Sequence, residues 1–182
     1  MKDNMGQNST KRKVRAIGKD CAYVAVFVSL TIAAQLCLSA IPGVEVVTVL
    51  FVAFAFAFGC RQGMIAATAF SLLRQLVFPF SPTVLILYLI YFNLLALLFG
   101  FLGRYIALKP KWVPILTAIA CLCTVGFTML DNVITPLWMG YSGRLFKIYF
   151  LASFSFMIPQ VICTAITVGI LFLPLAKIFK KL

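Results

Sequence analysis

The chain has 182 residues, 63% of them apolar and 11% charged, with a mean hydropathy of +1.08 and a net charge of +12. A soluble domain is nearer half apolar and a quarter charged, so this composition excludes a water-soluble fold and predicts one integral membrane domain. The basic excess does not indicate a nucleic-acid partner, because the charges are dispersed among helix ends with no soluble platform to form a groove.

Residues 1–19 read as a polar, basic, frayed cytoplasmic tail suited to anionic lipid headgroups. Residues 20–182 read as an all-α integral membrane domain, six transmembrane helices in one compact bundle. No cleavable secretory signal is expected, because the first apolar run lacks a small-residue cleavage site followed by a hydrophilic chain. Helix 1 is predicted over 21–41, long enough to span unaided, with Ile41, Pro42 and Gly43 ending it. Helix 2 is predicted over 46–60 and helix 3 over 64–77, joined by a tight turn around Gly59 and Gly63. Both are short, and two thin spans are favoured over one re-entrant hairpin. Helix 4 is predicted over 82–102, with Pro82 in the favoured first turn. Helix 5 is predicted over 112–138, with Trp112 and Trp138 near its two interfaces. Helix 6 is predicted over 147–178. It is longer than a bilayer core needs, and Pro159 is expected to kink it.

The basic residues sort by side across these six crossings. Lys2, Lys11, Arg12, Lys13, Arg15 and Lys19 precede helix 1. Arg61 lies in the turn between helices 2 and 3, and Arg104, Lys109 and Lys111 between helices 4 and 5. Lys177, Lys180 and Lys181 close the chain. Those 13 of the 16 Lys and Arg residues fall on one face, and only Arg144 and Lys147 fall on the other. Excess Lys and Arg in short loops marks the cytoplasmic side, so both termini are expected there.

Three charges remain in the outer half: Glu45 at the start of helix 2, Arg74 near the outer end of helix 3, and Asp131 in helix 5. A charge at membrane depth costs at least a few kcal/mol unless paired or hydrated, so such residues mark a functional site by default. Arg74 is free to pair with either acid. Asn93, Asn132, Gln160, Gln35 and Gln75 lie at similar depth, and Trp138, Tyr141, Tyr88 and Phe78 supply aromatic surface near them. Apolar walls with a few converging polar groups suit a small organic ligand. The opposing reading makes Arg74 a snorkelling residue, Glu45 an interfacial one, and Asp131 with Asn132 an internal helix–helix bond.

Helix 1 carries Ala25, Ser29, Ala33 and Cys37 at four-residue spacing, so they share one face. A smooth strip of this kind packs closely on another helix, either within the chain or on a second membrane subunit. Phe54, Phe56 and Phe58 cannot share a helical face, and read as lipid-facing bulk. The six Cys fit no metal pattern, and the chain has no His, which excludes His-ligated zinc and haem and His-based triads. No paired carboxylates, activated nucleophile or phosphate loop is legible, so neither an enzyme, a cofactor nor an ATP site is expected.

The chain resembles the substrate-binding S components of energy-coupling factor (ECF) transporters, membrane proteins that import vitamins and related micronutrients in prokaryotes. The resemblance rests on the length, the six spans with both ends inside, the basic tail and the Ala25/Ser29/Ala33 strip. The 41–48 stretch (IPGVEVVT) and the Phe80-Ser81-Pro82 turn also look like that family. Ser29 stands where alanine is commoner. The resemblance implies a prokaryotic cell-membrane protein that captures a small-molecule vitamin outside, in a pocket among helices 4, 5 and 6. It implies docking through Ala25, Ser29 and Ala33 on a membrane coupling subunit that sits on two ATPase subunits. Asn93, Asp131, Asn132, Trp138, Tyr141 and Gln160 are the implied pocket residues, with Arg74 and Glu45 beside them and 42–45 as lid. A flat or bulky, nearly neutral vitamin such as cobalamin or riboflavin is favoured. A stand-alone carrier or channel, and a ligand-free structural or assembly protein, are the competing readings.

Overall fold

The computed structural model describes residues 2–40 and 45–181. The helices are α1 (Lys2–Leu38), α2 (Val47–Phe58), α3 (Cys60–Val77), α4 (Pro82–Tyr105), α5 (Val113–Met139) and α6 (Arg144–Phe179), with a short 3-10 turn (Pro110–Trp112) before α5. No strand occurs among the described residues. Four helical stretches are long and apolar enough to cross a membrane: Gly18–Leu38, Pro82–Tyr105, Pro110–Met139 and Arg144–Phe179. They mark the chain as a multi-pass membrane protein. The expected end of helix 1 at residue 41, and the 42–44 part of the expected lid, lie outside the described residues. The tail differs from the frayed segment expected, because α1 is helical from Lys2. Its Lys, Arg and Gln residues are good helix formers, and they continue the apolar helix without a break.

α2 departs furthest from expectation. It has only 12 residues, a rise of about 18 Å, and every residue from Val47 to Phe56 is buried. Phe54 and Phe56 are 1% and 2% exposed, and Phe58 is half-buried, so these phenylalanines are not lipid-facing bulk. A helix that is apolar all round becomes the hub of a bundle when other helices surround it. Here α1, α3, α4 and α6 all pack on α2. Phe27 of α1 stacks on Phe54 with centroids 4.0 Å apart. Phe51 meets Phe70 of α3 and Phe92 of α4 edge-on or tilted, and Phe56 meets Phe172 of α6 edge-to-face.

α2 and α3 are joined by one residue, Gly59, whose φ of 87° lies in the region only glycine adopts without strain. α4 lies directly against this corner through Gly100 and Gly103. A Cβ on Gly100 would meet Cys60 Cα at 2.6 Å, and one on Gly103 would meet Phe56 Cα at 2.9 Å. Glycine is required at both for close backbone approach, as at helix contacts in membranes.

α5 and α6 pack together, and each carries a buried stripe of four-residue period. Leu116, Ala120, Thr124, Thr128, Asn132 and Pro136 are buried on α5, and Thr164, Val168, Phe172 and Ala176 on α6. Thr124 and Thr164 share a buried hydroxyl–hydroxyl bond of 3.1 Å. α6 runs continuously through Pro159 and Pro174 for 36 residues, about 54 Å, longer than a bilayer core of about 30 Å.

Side-chain contacts show how the ends of the bundle align. Tyr23, Phe58 and Phe179 cluster at one end, near the Gly59 corner. Gln35, Glu45, Arg74, Tyr88 and Gln160 gather at the other. Successive helices therefore alternate in direction. Lys19, Arg61 and Lys177 lie at the first end by their places in the helices.

Candidate functional site

The short length of α2 creates the site. Its neighbours continue past its first residue, and the space above its N-terminal end is a cavity of about 540 Å³. Val46 and Val47 form the floor. Gln35 and Leu38 of α1 with Ser39 just after it, Arg74 and Phe78 at the end of α3, Tyr88 of α4, Phe127 of α5, and Ser155, Phe156, Pro159 and Gln160 of α6 form the walls, with Glu45 between α1 and α2. The resemblance implied helices 4, 5 and 6; here all six helical segments contribute. Pro159 has no N–H to offer the carbonyl of Ser155 one turn earlier, and both residues line the cavity.

Glu45 is tied to α6. Gln160 Nε2 donates to Glu45 Oε2 at 2.6 Å. The Glu45 backbone N–H donates to Cys163 Sγ at 3.2 Å, and the thiol lies 3.5 Å from the Glu45 carbonyl oxygen. Gln160 and Cys163 are three residues apart and share a helical face. Arg74 is held from α1 and α4. Its Nε–H donates to Gln35 Oε1 at 3.1 Å, and Gln35 Nε2 donates to Tyr88 Oη at 3.2 Å. The guanidinium carbon lies 4.5 Å from the centre of the Phe78 ring and 4.7 Å from that of Tyr88, both within cation–π range. Pairing with either acid was open to Arg74; among the described residues it forms an ion pair with neither Glu45 nor Asp131. Gln35 Oε1 accepts from the guanidinium instead, while the other end of the same amide donates to Tyr88.

Asp131 belongs to a second, smaller cavity of about 250 Å³, which shares Phe127, Phe156 and Gln160 with the first. Tyr149 Oη donates to Asp131 Oδ2 at 2.6 Å, and Thr135 Oγ1 donates to Oδ1 at 2.7 Å. Both carboxylate oxygens are thus used within α5 and α6. Asn132 is buried and lines neither cavity; its Nδ2 donates to Ser153 Oγ at 2.8 Å. This matches the internal helix–helix bond weighed for this pair. Asn132→Ala removes one interhelical bond and is expected to cost roughly 1 kcal/mol of stability. A modest fall in melting temperature in detergent is the expected result.

Asn93 joins α3 to α4: Thr68 Oγ1 donates to Asn93 Oδ1 at 3.3 Å, and Asn93 Nδ2 donates to Leu89 O at 2.8 Å. Trp138 and Tyr141 are exposed at the end of α5 and line neither cavity, although Tyr141 contacts Tyr149 with ring centroids 5.8 Å apart. Of the predicted pocket residues, the fold therefore brings together Glu45, Arg74 and Gln160, with Asp131 in the adjoining space. Phe127, Phe156, Ser39 and Cys163 were not singled out as site residues. Cys163 was legible only through its spacing from Gln160.

The strip on α1 faces outward. Ala25, Ser29, Ala33 and Cys37 are all exposed, while Val24, Phe27, Val28 and Thr31 on the opposite face are buried. No protein-family model, curated protein or solved structure matches the chain. The fold and the site together define a helical multi-pass membrane protein with a largely apolar cavity, carrying a few polar groups, at one end of its bundle.

Proposed function

We propose that this chain is the membrane-embedded, substrate-binding S component of an ECF-type importer for a vitamin or related micronutrient. It sits in a prokaryotic cell membrane with six crossings and both ends cytoplasmic, and captures its ligand from outside. Helix α1 docks on a membrane coupling subunit driven by two ATPase subunits. The observation that carries this reading is the cavity above α2. Its size falls within the range of roughly 300–1,000 Å³ typical of small-molecule sites, and its walls combine aromatic surface with a few placed polar groups. Charge sorting puts this end of the bundle outside.

Mass spectrometry of the solvent extract of the purified full-length chain tests the proposal. A single small organic compound at near-stoichiometric amount is the expected result. Absence of any bound compound, with no ligand recovered from a vitamin panel, would favour the assembly-protein reading. Uptake by the chain alone in ATP-free proteoliposomes would favour the stand-alone carrier.

The orientation has its own test. In a background freed of native cysteines, Ser142→Cys is expected to react with a membrane-impermeant thiol reagent applied to intact cells. Reaction only after the cytoplasmic side is opened would reverse the cavity and remove the proposal.

A further inference from the structure

Glu45, an acid, and Arg74, a base, line one cavity and do not pair. Each is held by a neutral amide instead, Gln160 for the acid and Gln35 for the base. Among the described residues no cation forms an ion pair with Glu45, and no carboxylate with Arg74. Charges withdrawn from water are costly unless they find a counter-charge. Two such charges facing one space, each fixed by hydrogen bonds and Arg74 further held by two rings, are arranged to receive a counter-charge rather than to collapse on each other.

We propose that the cavity binds an amphoteric molecule: an anionic carboxylate meets Arg74, a protonated nitrogen meets Glu45, and a flat apolar body lies between Tyr88, Phe127 and Phe156. This rests on the binding role proposed above and names the chemical class of its ligand. It also replaces the nearly neutral ligand favoured by composition. Guanidinium is suited to carboxylate because its planar donors match the two oxygens. A purely anionic ligand on Arg74 would face Glu45 across the same small cavity, and a purely cationic ligand on Glu45 would face Arg74. Only a ligand bearing both signs gains at both walls. The aromatic residues supply the apolar contact that fixes its ring.

The test uses the compound extracted from the full-length chain purified in lipid nanodiscs, together with its methyl ester. On electrophoresis the compound is expected to move to the cathode at acid pH and to the anode at alkaline pH. Esterification, which removes the anionic group, is expected to weaken rebinding to the unmodified chain about tenfold or more. Arg74→Gln is expected to weaken binding of the parent compound by a similar factor, with the ester binding this variant as well as the parent does. Glu45→Gln is expected to weaken both compounds equally. A compound that migrates in one direction only, or an ester that binds the unmodified chain as tightly as its parent, overturns the inference while leaving the binding role intact. Recovery of no compound, with no ligand found in a vitamin panel, removes the binding role itself. The ester comparison on the unmodified chain decides the matter even if a variant does not fold.

Discussion

Replacing Gly103 by valine is expected to prevent accumulation of folded protein, and Gly100→Val to do nearly as much. Both glycines lie where α4 runs against the backbone of the α2–α3 corner. A Cβ at 103 would meet the carbonyl carbon and Cα of Phe56 at 2.9 Å, and one at 100 would meet Cys60 Cα at 2.6 Å and the Gly59 carbonyl carbon at 2.9 Å. These are main-chain atoms, so no side-chain rotation relieves the contact. The corner itself has one connecting residue and cannot shift without moving two helices. Overpacking of a rigid contact costs about 3 kcal/mol or more, a large part of a typical stability of about 5–15 kcal/mol. Any surviving protein is expected to bind ligand poorly, because displacing α2 from α4 moves Val46 and Val47, the floor of the cavity. Gly126→Ala and Gly169→Ala are the controls. Nothing lies within 4 Å of either added Cβ, and removing a mid-helix glycine is expected to be neutral or to stabilise by about 0.5–1 kcal/mol. Thermal unfolding and size-exclusion profiles in mild detergent distinguish these outcomes. A Gly103→Val protein with unchanged melting temperature would show that the corner is not packed as described.

Much of this architecture was written in the lengths of the apolar runs. The observed starts and ends of α4 and α5 fall within three residues of expectation, because Pro82, Trp112 and Trp138 punctuate them. The position of α2 was not legible. Its residues are apolar on every face, and such a helix has no moment by which periodicity could tell a central helix from a lipid-facing one. Small-residue stripes were ambiguous for a related reason. The four-residue stripe on α1 was open to packing within the chain or on a second subunit, and it is exposed. The comparable stripe on α5, from Leu116 to Pro136, is buried on the bundle. Spacing identifies a shared face, but it does not say what covers that face.

For the site, isolated charges in apolar sequence were informative because their cost demands a reason. Glu45 and Arg74 reached the cavity on that argument. Their partners were not legible: Gln160 is 115 residues from Glu45, and Gln35 is 39 from Arg74. Asp131 carried the same signal as Glu45, but Tyr149 and Thr135 satisfy it locally. Only the arrangement of α5 against α6 separates the two roles.

On the proposed docking role of α1, Ala25→Trp and Ala33→Trp are expected to abolish ligand uptake in cells supplied with a coupling subunit and its ATPases, while ligand binding by the purified chain stays unchanged. The separation follows from where the residues sit. Ala25, Ser29 and Ala33 face away from the bundle, and the residues at this end of α1 that meet the cavity are Gln35 and Leu38, with Ser39 just after them. A tryptophan on the outward strip leaves Phe27 and Val28 in the core and does not enter the cavity. It adds bulk only to the surface on which a closely approaching helix depends. At about 3 kcal/mol for overpacking such a contact, the docking equilibrium falls roughly a hundredfold. Val26→Trp is the matched control, because this neighbouring residue is exposed, already large and outside the small-residue strip. Uptake is expected to survive it. Equal loss in all three variants would point to a general effect of added bulk on α1. Full uptake in Ala25→Trp and Ala33→Trp would exclude the strip as the docking surface and require the coupling subunit to engage another face.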